Sequence, residues 1–361
     1  MKRVGITGYS DLVGTHLRFY FHKRKDDFSL VLIDDDFSKL ADCDAVIHLA
    51  ELNRGGEEEV YNTNINLTKK VLQALDYNKK PKIIFLSSTH RAGETAYGKA
   101  KRESEKMIAE WGEKNKTGTV SIVGPNIFGE FARPYYNTFI TTFCHELIEK
   151  KNSNINESAF ARPIYAEDIC SLIFEALIAE SPEGIIESLG REMKVGEIYS
   201  LLKHFRDEYF SGIIPQCKDK FEQHLFNTFR SCLPANFFPV GIELKKDDRG
   251  ELFEIVKEKT GGQAFFSTTK PGVVRGNHYH TRKIERFCVV KGEASIKMRK
   301  LLSDEILEYK VSGDKPAYVD MPTYYTHSIE NIGSEELLTM FWSNEIFNPA
   351  DPDTFFEPVI I

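Results

Sequence analysis

The residues of this chain best equipped for chemistry lie between Gly272 and Gly292, in GVVRGNHYHTRKIERFCVVKG. His278 and His280 are two apart, so in an extended strand both imidazoles project to the same side. Glu285 follows within reach, and the later run Pro322-Thr-Tyr-Tyr-Thr-His327-Ser-Ile-Glu-Asn331 supplies a further imidazole. Three imidazoles and one carboxylate suit a borderline divalent ion such as zinc, iron or manganese, with zinc the expected one. The plainer alternative is a set of ordinary polar residues on a sheet face, but four ligand-type side chains at these spacings favour the ion.

A second set is Tyr97-Gly-Lys-Ala-Lys101, in a stretch rich in Lys, Glu and Ala and so expected to be helical. Tyrosine and lysine four apart share a helical face. An ammonium beside a phenol lowers its pKa from about 10 towards neutrality, which lets the phenol exchange a proton with a carbonyl or hydroxyl. The pair directly follows a strand that ends in Ser87-Ser88-Thr89, a run of hydroxyls.

A third set opens the chain: strand Arg3 to Thr7, then Gly8-Tyr-Ser-Asp11-Leu-Val-Gly14, then a helix over Val13 to Phe21. Strand, glycine turn and helix in this order begin a dinucleotide-binding unit, whose glycines let the backbone approach a pyrophosphate at the helix N-terminus. Asp11 stands where a further glycine would complete the pattern, and its side chain crowds and repels a phosphate. Gly8 and Gly14 can equally be read as a tight turn and a close helix packing. Asp34, in the acidic run after strand Ser29 to Ile33, suits a ribose diol and opposes the extra phosphate of NADP; a solvated acidic turn is the alternative.

These residues need elements to hold them. Strands Arg3 to Thr7, Ser29 to Ile33, Ala45 to Ala50 and Lys82 to Leu86 alternate with helical patterns, including Asn64 to Leu75. That alternation predicts an α/β, Rossmann-type, doubly wound parallel sheet. Helices around Ile198 to Phe210 and Phe221 to Phe229 are expected to build its substrate lobe. Near Phe237 to Ile242 the alternation stops, and Asp247-Asp248-Arg249-Gly250 introduces a β-rich region. From Leu252 short strands recur about every eight to twelve residues with turn signals such as Pro271-Gly272 and Ser312-Gly313, which predicts an antiparallel sandwich or barrel. The expected domains are therefore 1–242 and 243–361.

Composition agrees with two soluble domains: 361 residues, 41% of them hydrophobic, with no run near the ~20 apolar residues of a membrane span. Asp11 and His16 interrupt any apolar core that could follow Met1-Lys2-Arg3, so no signal peptide is expected. A formal charge of −7 argues against nucleic acid as a partner. The six cysteines lack CxxC pairing and read as reduced thiols of a cytoplasmic protein. A homodimer is the default assembly.

The TGxxxxxG opening, the HLA strand, the SST strand end, YxxxK and Pro125-Asn126-Ile-Phe-Gly129 together resemble the extended short-chain dehydrogenase/reductase family, which works largely on nucleotide sugars. The resemblance implies that Tyr97 is the acid/base, that Lys101 orients a nicotinamide ribose, and that Thr89 is the assisting hydroxyl, with Ser87 second. It implies NADPH, or NADH, as cofactor, held at Gly8, Asp11, Gly14, Asp34 and Lys101. Asp168 matches an acidic helix start near that family's substrate site. Three residues depart from the pattern: Asp11, Glu51 after HLA in place of glycine, and Val123 in place of arginine. Two carboxylates are thus expected near the pyrophosphate.

The His278, His280, Glu285 and His327 motifs resemble the cupin family, an all-β barrel, with Tyr324 standing where the second motif usually has glycine. DDRGELFE and VRGNHYH also resemble metal-free cupin epimerases of deoxysugar pathways, in which the histidine matching His278 is a base. His280 and Glu285 add ligands that those enzymes lack, so His278 is a ligand or a base beside a metal. Over its whole length the chain resembles capsular polysaccharide synthesis enzymes of N-acetylfucosamine pathways. These are implied to act in two steps on a UDP-sugar. The cupin epimerises C3 of a UDP-2-acetamido-2,6-dideoxy-4-keto-hexose, and the reductase then reduces the C4 ketone. From position alone, not from the resemblance, Tyr324 or Tyr325 is the candidate to return the proton. Two alternatives stay open: an epimerase whose Rossmann domain no longer binds dinucleotide, and a non-catalytic nucleotide-sensing module.

Overall fold

The computed structural model describes residues 1–76, 78–136, 138–180, 184–242, 245–247, 250–252, 255–258 and 261–361; Asp248 and Arg249 of the expected domain-opening turn lie outside the described residues. The chain forms two compact units, Met1–Phe143 with Asn154–Tyr199, and Cys144–Ser153 with Ser200–Ile361.

In the first unit, strands β1 (Lys2–Thr7), β2 (Phe28–Ile33), β3 (Ala45–His48), β4 (Lys82–Ser88), β5 (Thr119–Gly124) and β6 (Gly184–Glu187) make one parallel sheet. Their order is β2-β1-β3-β4-β5-β6. Helix α1 (Leu12–His22) follows β1, α2 (Glu57–Ala74) follows β3, α3 (Ala96–Asn115) follows β4, and α4 (Ala166–Ile178) precedes β6. Alternate residues of one strand serve opposite faces. Ala45 and Ile47 pack with Val13, Leu17 and Ile173 of α1 and α4, while Val46 packs with Val71 and Ile108 of α2 and α3. This is the doubly wound sheet that the sequence predicts. Helix α2 begins well before the expected Asn64, because Glu57, Glu58 and Glu59 occupy its first turn, where acidic side chains oppose the positive end of the helix dipole.

The second unit is an antiparallel barrel-like pair of sheets. One comprises β7 (Val240–Gly241), β8 (Gln263–Thr269), β10 (Glu285–Lys291), β13 (Ala317–Met321) and β15 (Leu337–Ser343). The other comprises β9 (Val274–Tyr279), β11 (Glu293–Lys300), β12 (Ile306–Ser312), β14 (Tyr325–Asn331) and β16 (Phe355–Phe356). Inward Phe287, Val289, Ile296, Met298, Val319, Met321, Ile329 and Phe341 fill the space between them. This architecture is the expected cupin barrel.

The compact units divide elsewhere than at the expected 242/243 boundary. Helix α5 (Val195–Phe210) from Ser200 onward and helix α6 (Lys220–Ser231) belong with the barrel. The reason is a polar seam. Tyr209 donates its hydroxyl to Asp320, Arg230 Nη2 donates to the Met321 carbonyl at 2.9 Å, and Gln223 Nε2 donates to the Arg282 carbonyl at 3.0 Å. Asp320 in turn holds Arg286 in a bidentate pair at 2.7 and 3.0 Å, both residues fully buried. All six cysteines are free. Among the described residues no helix is long and apolar enough to cross a membrane.

Candidate active and metal sites

At the carboxyl ends of β1, β3, β4 and β5 the first unit opens a cavity of about 460 Å³, the place where an open parallel sheet binds its ligand. Gly8, Asp11 and Gly14 line it from the first turn, Glu51, Asn53 and Arg54 from the loop after β3, and Ser87 and Ser88 from the end of β4. Tyr97 lines it from α3. A Cβ on Gly14 would come within 2.3 Å of the Gly8 carbonyl oxygen. One on Gly8, whose φ is +69°, would come within 2.6 Å of the Ala50 nitrogen. The backbone therefore approaches as closely as glycine permits, and this turn fits a dinucleotide.

The carboxylates around it do not. Asp11 is the N-cap of α1 and makes no side-chain capping bond; its Oδ1 lies 3.2 Å from Arg133 Nη2. A negative group already sits at the helix terminus that would receive a pyrophosphate. Glu51 lies elsewhere than expected, on the tyrosine and lysine. Tyr97 donates its hydroxyl to Glu51 Oε2 at 2.8 Å, and Lys101 Nζ lies 2.6 Å from the same oxygen. Lys101 also donates to the Leu86 carbonyl at 2.7 Å.

The expected depression of the Tyr97 pKa is thus overturned. Burial, then the negative charge of Glu51 and its hydrogen bond, push the phenol well above its ordinary value, and only Ser88 opposes them. Beneath the pair, His48 is fully buried between Thr7 Oγ1 at 2.8 Å and Thr68 Oγ1 at 3.3 Å. Burial, helped by Lys101, holds it neutral with a pKa of about 3.

Thr89 opens a short 3-10 turn with an exposed side chain and does not line the cavity. The hydroxyls of that run that do are Ser87 and Ser88, and Thr95, the N-cap of α3, lines it as well. Asp34 sits at the end of β2, where its Oδ1 accepts the Tyr9 hydroxyl at 2.6 Å. Asp168 is exposed in the first turn of α4 and lies off the cavity.

In the second unit the four expected ligands converge. One donor atom from each of His278, His280, Glu285 and His327 lies within 4.8 Å of the others. A β-bulge at Asn277, φ +57°, shifts the register so that His278 of β9 faces His327 of β14 directly; their ring centroids are 4.6 Å apart. Glu285 Oε2 lies 3.0 Å from His280 Nε2 and 3.6 Å from His327 Nε2. Both of those nitrogens are buried and make no hydrogen bond. Orphaned imidazole nitrogens around one carboxylate fit a divalent ion. Burial and the neighbouring His327 and His280 hold His278 neutral, at about 3, and it is the least buried of the three histidines.

Sequence reasoning missed Asp353. Its backbone carbonyl accepts from His280 Nδ1 at 2.5 Å, which leaves Nε2 to face the other ligands. Its carboxylate accepts Thr281 Oγ1 at 2.7 Å and the backbone N–H groups of Arg282 and Lys283 at 2.9 Å each. Its only signal was the Pro352-Asp-Thr-Phe run near the end of the chain. Tyr324, the departure in the second cupin motif, has φ +62°, a conformation that favours glycine. Its N–H donates to the His280 carbonyl at 2.8 Å, and its side chain is 1% exposed. Tyr325 shares the strand face of His327, two residues on.

A doubly wound sheet with a tyrosine–lysine pair in its cleft, joined in one chain to a cupin barrel with a three-histidine, one-glutamate donor set, defines the class. Residues 32–186 match the NAD dependent epimerase/dehydratase family, and residues 245–355 match the polysaccharide biosynthesis C-terminal domain. UDP-2-acetamido-2,6-beta-L-arabino-hexul-4-ose reductase of Pseudomonas aeruginosa is 31% identical over 317 residues, 86% of this chain and 85% of the relative. The crystal structure of the capsular polysaccharide assembling protein CapF from Staphylococcus aureus is 30% identical, covers 99% of this chain and 100% of its own, and superposes with a TM-score of 0.62. The spore coat polysaccharide biosynthesis protein SpsL of Bacillus subtilis is 27% identical over 128 residues, 31% of this chain and 85% of its own. The chain belongs to the family of this Pseudomonas UDP-sugar reductase and of the capsular polysaccharide assembling protein CapF.

Proposed function

We propose that this protein is a two-step UDP-sugar enzyme. Its barrel epimerises C3 of a UDP-2-acetamido-2,6-dideoxy-4-keto-hexose, and its first unit reduces the C4 ketone. The observation that carries the reading is the convergence of His278, His280, Glu285 and His327 with two orphaned imidazole nitrogens, in a chain that also presents Tyr97 to a cavity, with buried Lys101 behind it. A C3 proton beside a C4 ketone is acidic enough for a positioned base to remove. His280, Glu285 and His327 would hold a divalent ion, most simply zinc, which when bound supplies Lewis acidity at the C4 oxygen. Neutral His278, the least buried donor, is the group assigned to proton exchange at C3. Tyr325, on the face of His327, is assigned to the opposite side.

In the first unit, Gly8 and Gly14 shape the turn that would receive NADPH, which when bound supplies the hydride for C4. Tyr97 donates its proton to the C4 oxygen, Lys101 positions the reactants, and Ser88 takes the assisting place expected of Thr89. The reading carries with it a UDP-sugar substrate, a cytoplasmic location and a homodimer.

The test uses His327→Ala in the full chain. It should lose bound metal by elemental analysis and lose solvent deuterium incorporation at C3, while NADPH affinity measured by calorimetry stays unchanged. Full deuterium exchange in this variant would sink the metal-site assignment.

A further inference from the structure

We propose that Glu51 is a clamp on the reductase pair, a positioning residue that must give up Tyr97 and Lys101 before a dinucleotide and a carbonyl can engage them. The inference rests on the reductase reading above. One oxygen of Glu51 takes the Tyr97 hydroxyl at 2.8 Å and the Lys101 ammonium at 2.6 Å, so both groups needed for reduction are spent on the same carboxylate. Lys101 is otherwise committed to the Leu86 carbonyl. The clamp is built: Lys101 is 3% exposed, and Asn53 Nδ2 donates to the other Glu51 oxygen at 3.3 Å. Glu51 lines the cavity itself.

Two consequences follow from charge. With Glu51 ionised, the ammonium is cancelled and can neither stabilise a developing phenolate nor attract a ribose hydroxyl. A proton given up by Tyr97 would leave two anions side by side. With the carboxylate removed from the pair, the Lys101 charge is uncancelled and the phenol loses the acceptor that holds it.

Other charged or titratable groups face the same space. They are Arg54 from the loop after β3, His90, whose ring lies 6.1 Å from that of Tyr97, Asp11 from the first turn, and Tyr136, with buried neutral His48 below the pair. The substitutions at Glu51 leave all of them in place, so a difference between variants reports Glu51.

The experiment is calorimetric titration of NADPH into the full-length protein, Glu51→Gln and Glu51→Gly, each also carrying Asp11→Gly in a parallel set, at one fixed pH near neutrality. Both Glu51 variants should bind NADPH at least about tenfold more tightly than the unmodified protein, because Lys101 is no longer cancelled. Equal affinity in the unmodified protein and the Glu51 variants would overturn the clamp and leave the reductase reading standing. Absence of NADPH binding in every variant, including the Asp11→Gly set, would overturn both.

Discussion

Asp353 illustrates how one residue can organise a site without touching a reactant. Burial alone would raise its carboxyl, but the hydrogen bonds from Thr281, Lys283 and Arg282 hold it below the usual range, so it stays an anion and keeps the loop after β9 folded on itself. The same residue fixes the His280 tautomer through its backbone oxygen, at φ +42°, a region that aspartate tolerates better than alanine. Asp353→Ala should therefore act twice. Leaving the Thr281, Arg282 and Lys283 N–H groups without their acceptor should cost roughly 3 kcal/mol in a thermal or denaturant melt. Loss of the fixed imidazole should weaken metal binding roughly ten- to a hundredfold in a chelator competition. Asp353→Asn keeps the backbone preference and part of the acceptor set, and should fall between. A variant that melts lower but binds metal normally would remove Asp353 from the metal site.

Among the elements, the polar seam between helices α5 and α6 and strand β13 is the part with the largest electrostatic stake. Asp320 is fully buried, and burial alone would raise its carboxyl. The charge and hydrogen bonds of Arg286, with Arg230 and Tyr209, bring it below its ordinary 3.8. A carboxyl depressed in the folded state stabilises the fold at neutral pH, and that contribution is lost as pH falls from about 4 through the folded value. Asp320→Ala leaves the Arg286 guanidinium buried without its carboxylate, which should cost about 3–5 kcal/mol in denaturant unfolding and should flatten the acid limb of the stability profile. An unchanged acid limb would mean that another carboxylate governs it.

What the sequence made legible follows from the range of the interactions. His278 with His280, and Tyr97 with Lys101, are local spacings that strand and helix geometry convert directly into a shared face. The parallel sheet and the antiparallel barrel were likewise legible as period and turn signals. The seam was not, because Tyr209 and Asp320 are 111 positions apart and no periodicity announces such a partner. Glu51 was visible as an odd residue after HLA, but that it would reach Tyr97, 46 positions on, and not the pyrophosphate, depends on how the loop after β3 meets α3.

At the scale of the whole molecule, the candidate residues divide cleanly between the two compact units. The cavity residues of the reductase reading run from Gly8 to Tyr136, and those of the metal site from His278 to Asp353; among the described residues no side chain serves both. If the first step delivers a 4-keto intermediate that is stable in water, the two activities need not reside on the same chain. His327→Ala alone should leave the substrate unepimerised, and Tyr97→Phe alone should accumulate the epimerised ketone, because a phenyl ring has no proton to give. Mixed in equal amounts the two variants should convert substrate to final product at roughly half the unmodified rate per total protein, since independent sites contribute additively. Product formation followed by chromatography with NADPH oxidation in parallel decides it. No recovery on mixing, with each single step intact in its own variant, would mean that the intermediate must be handed over within one assembly and that joining the two units in one chain is itself part of the chemistry.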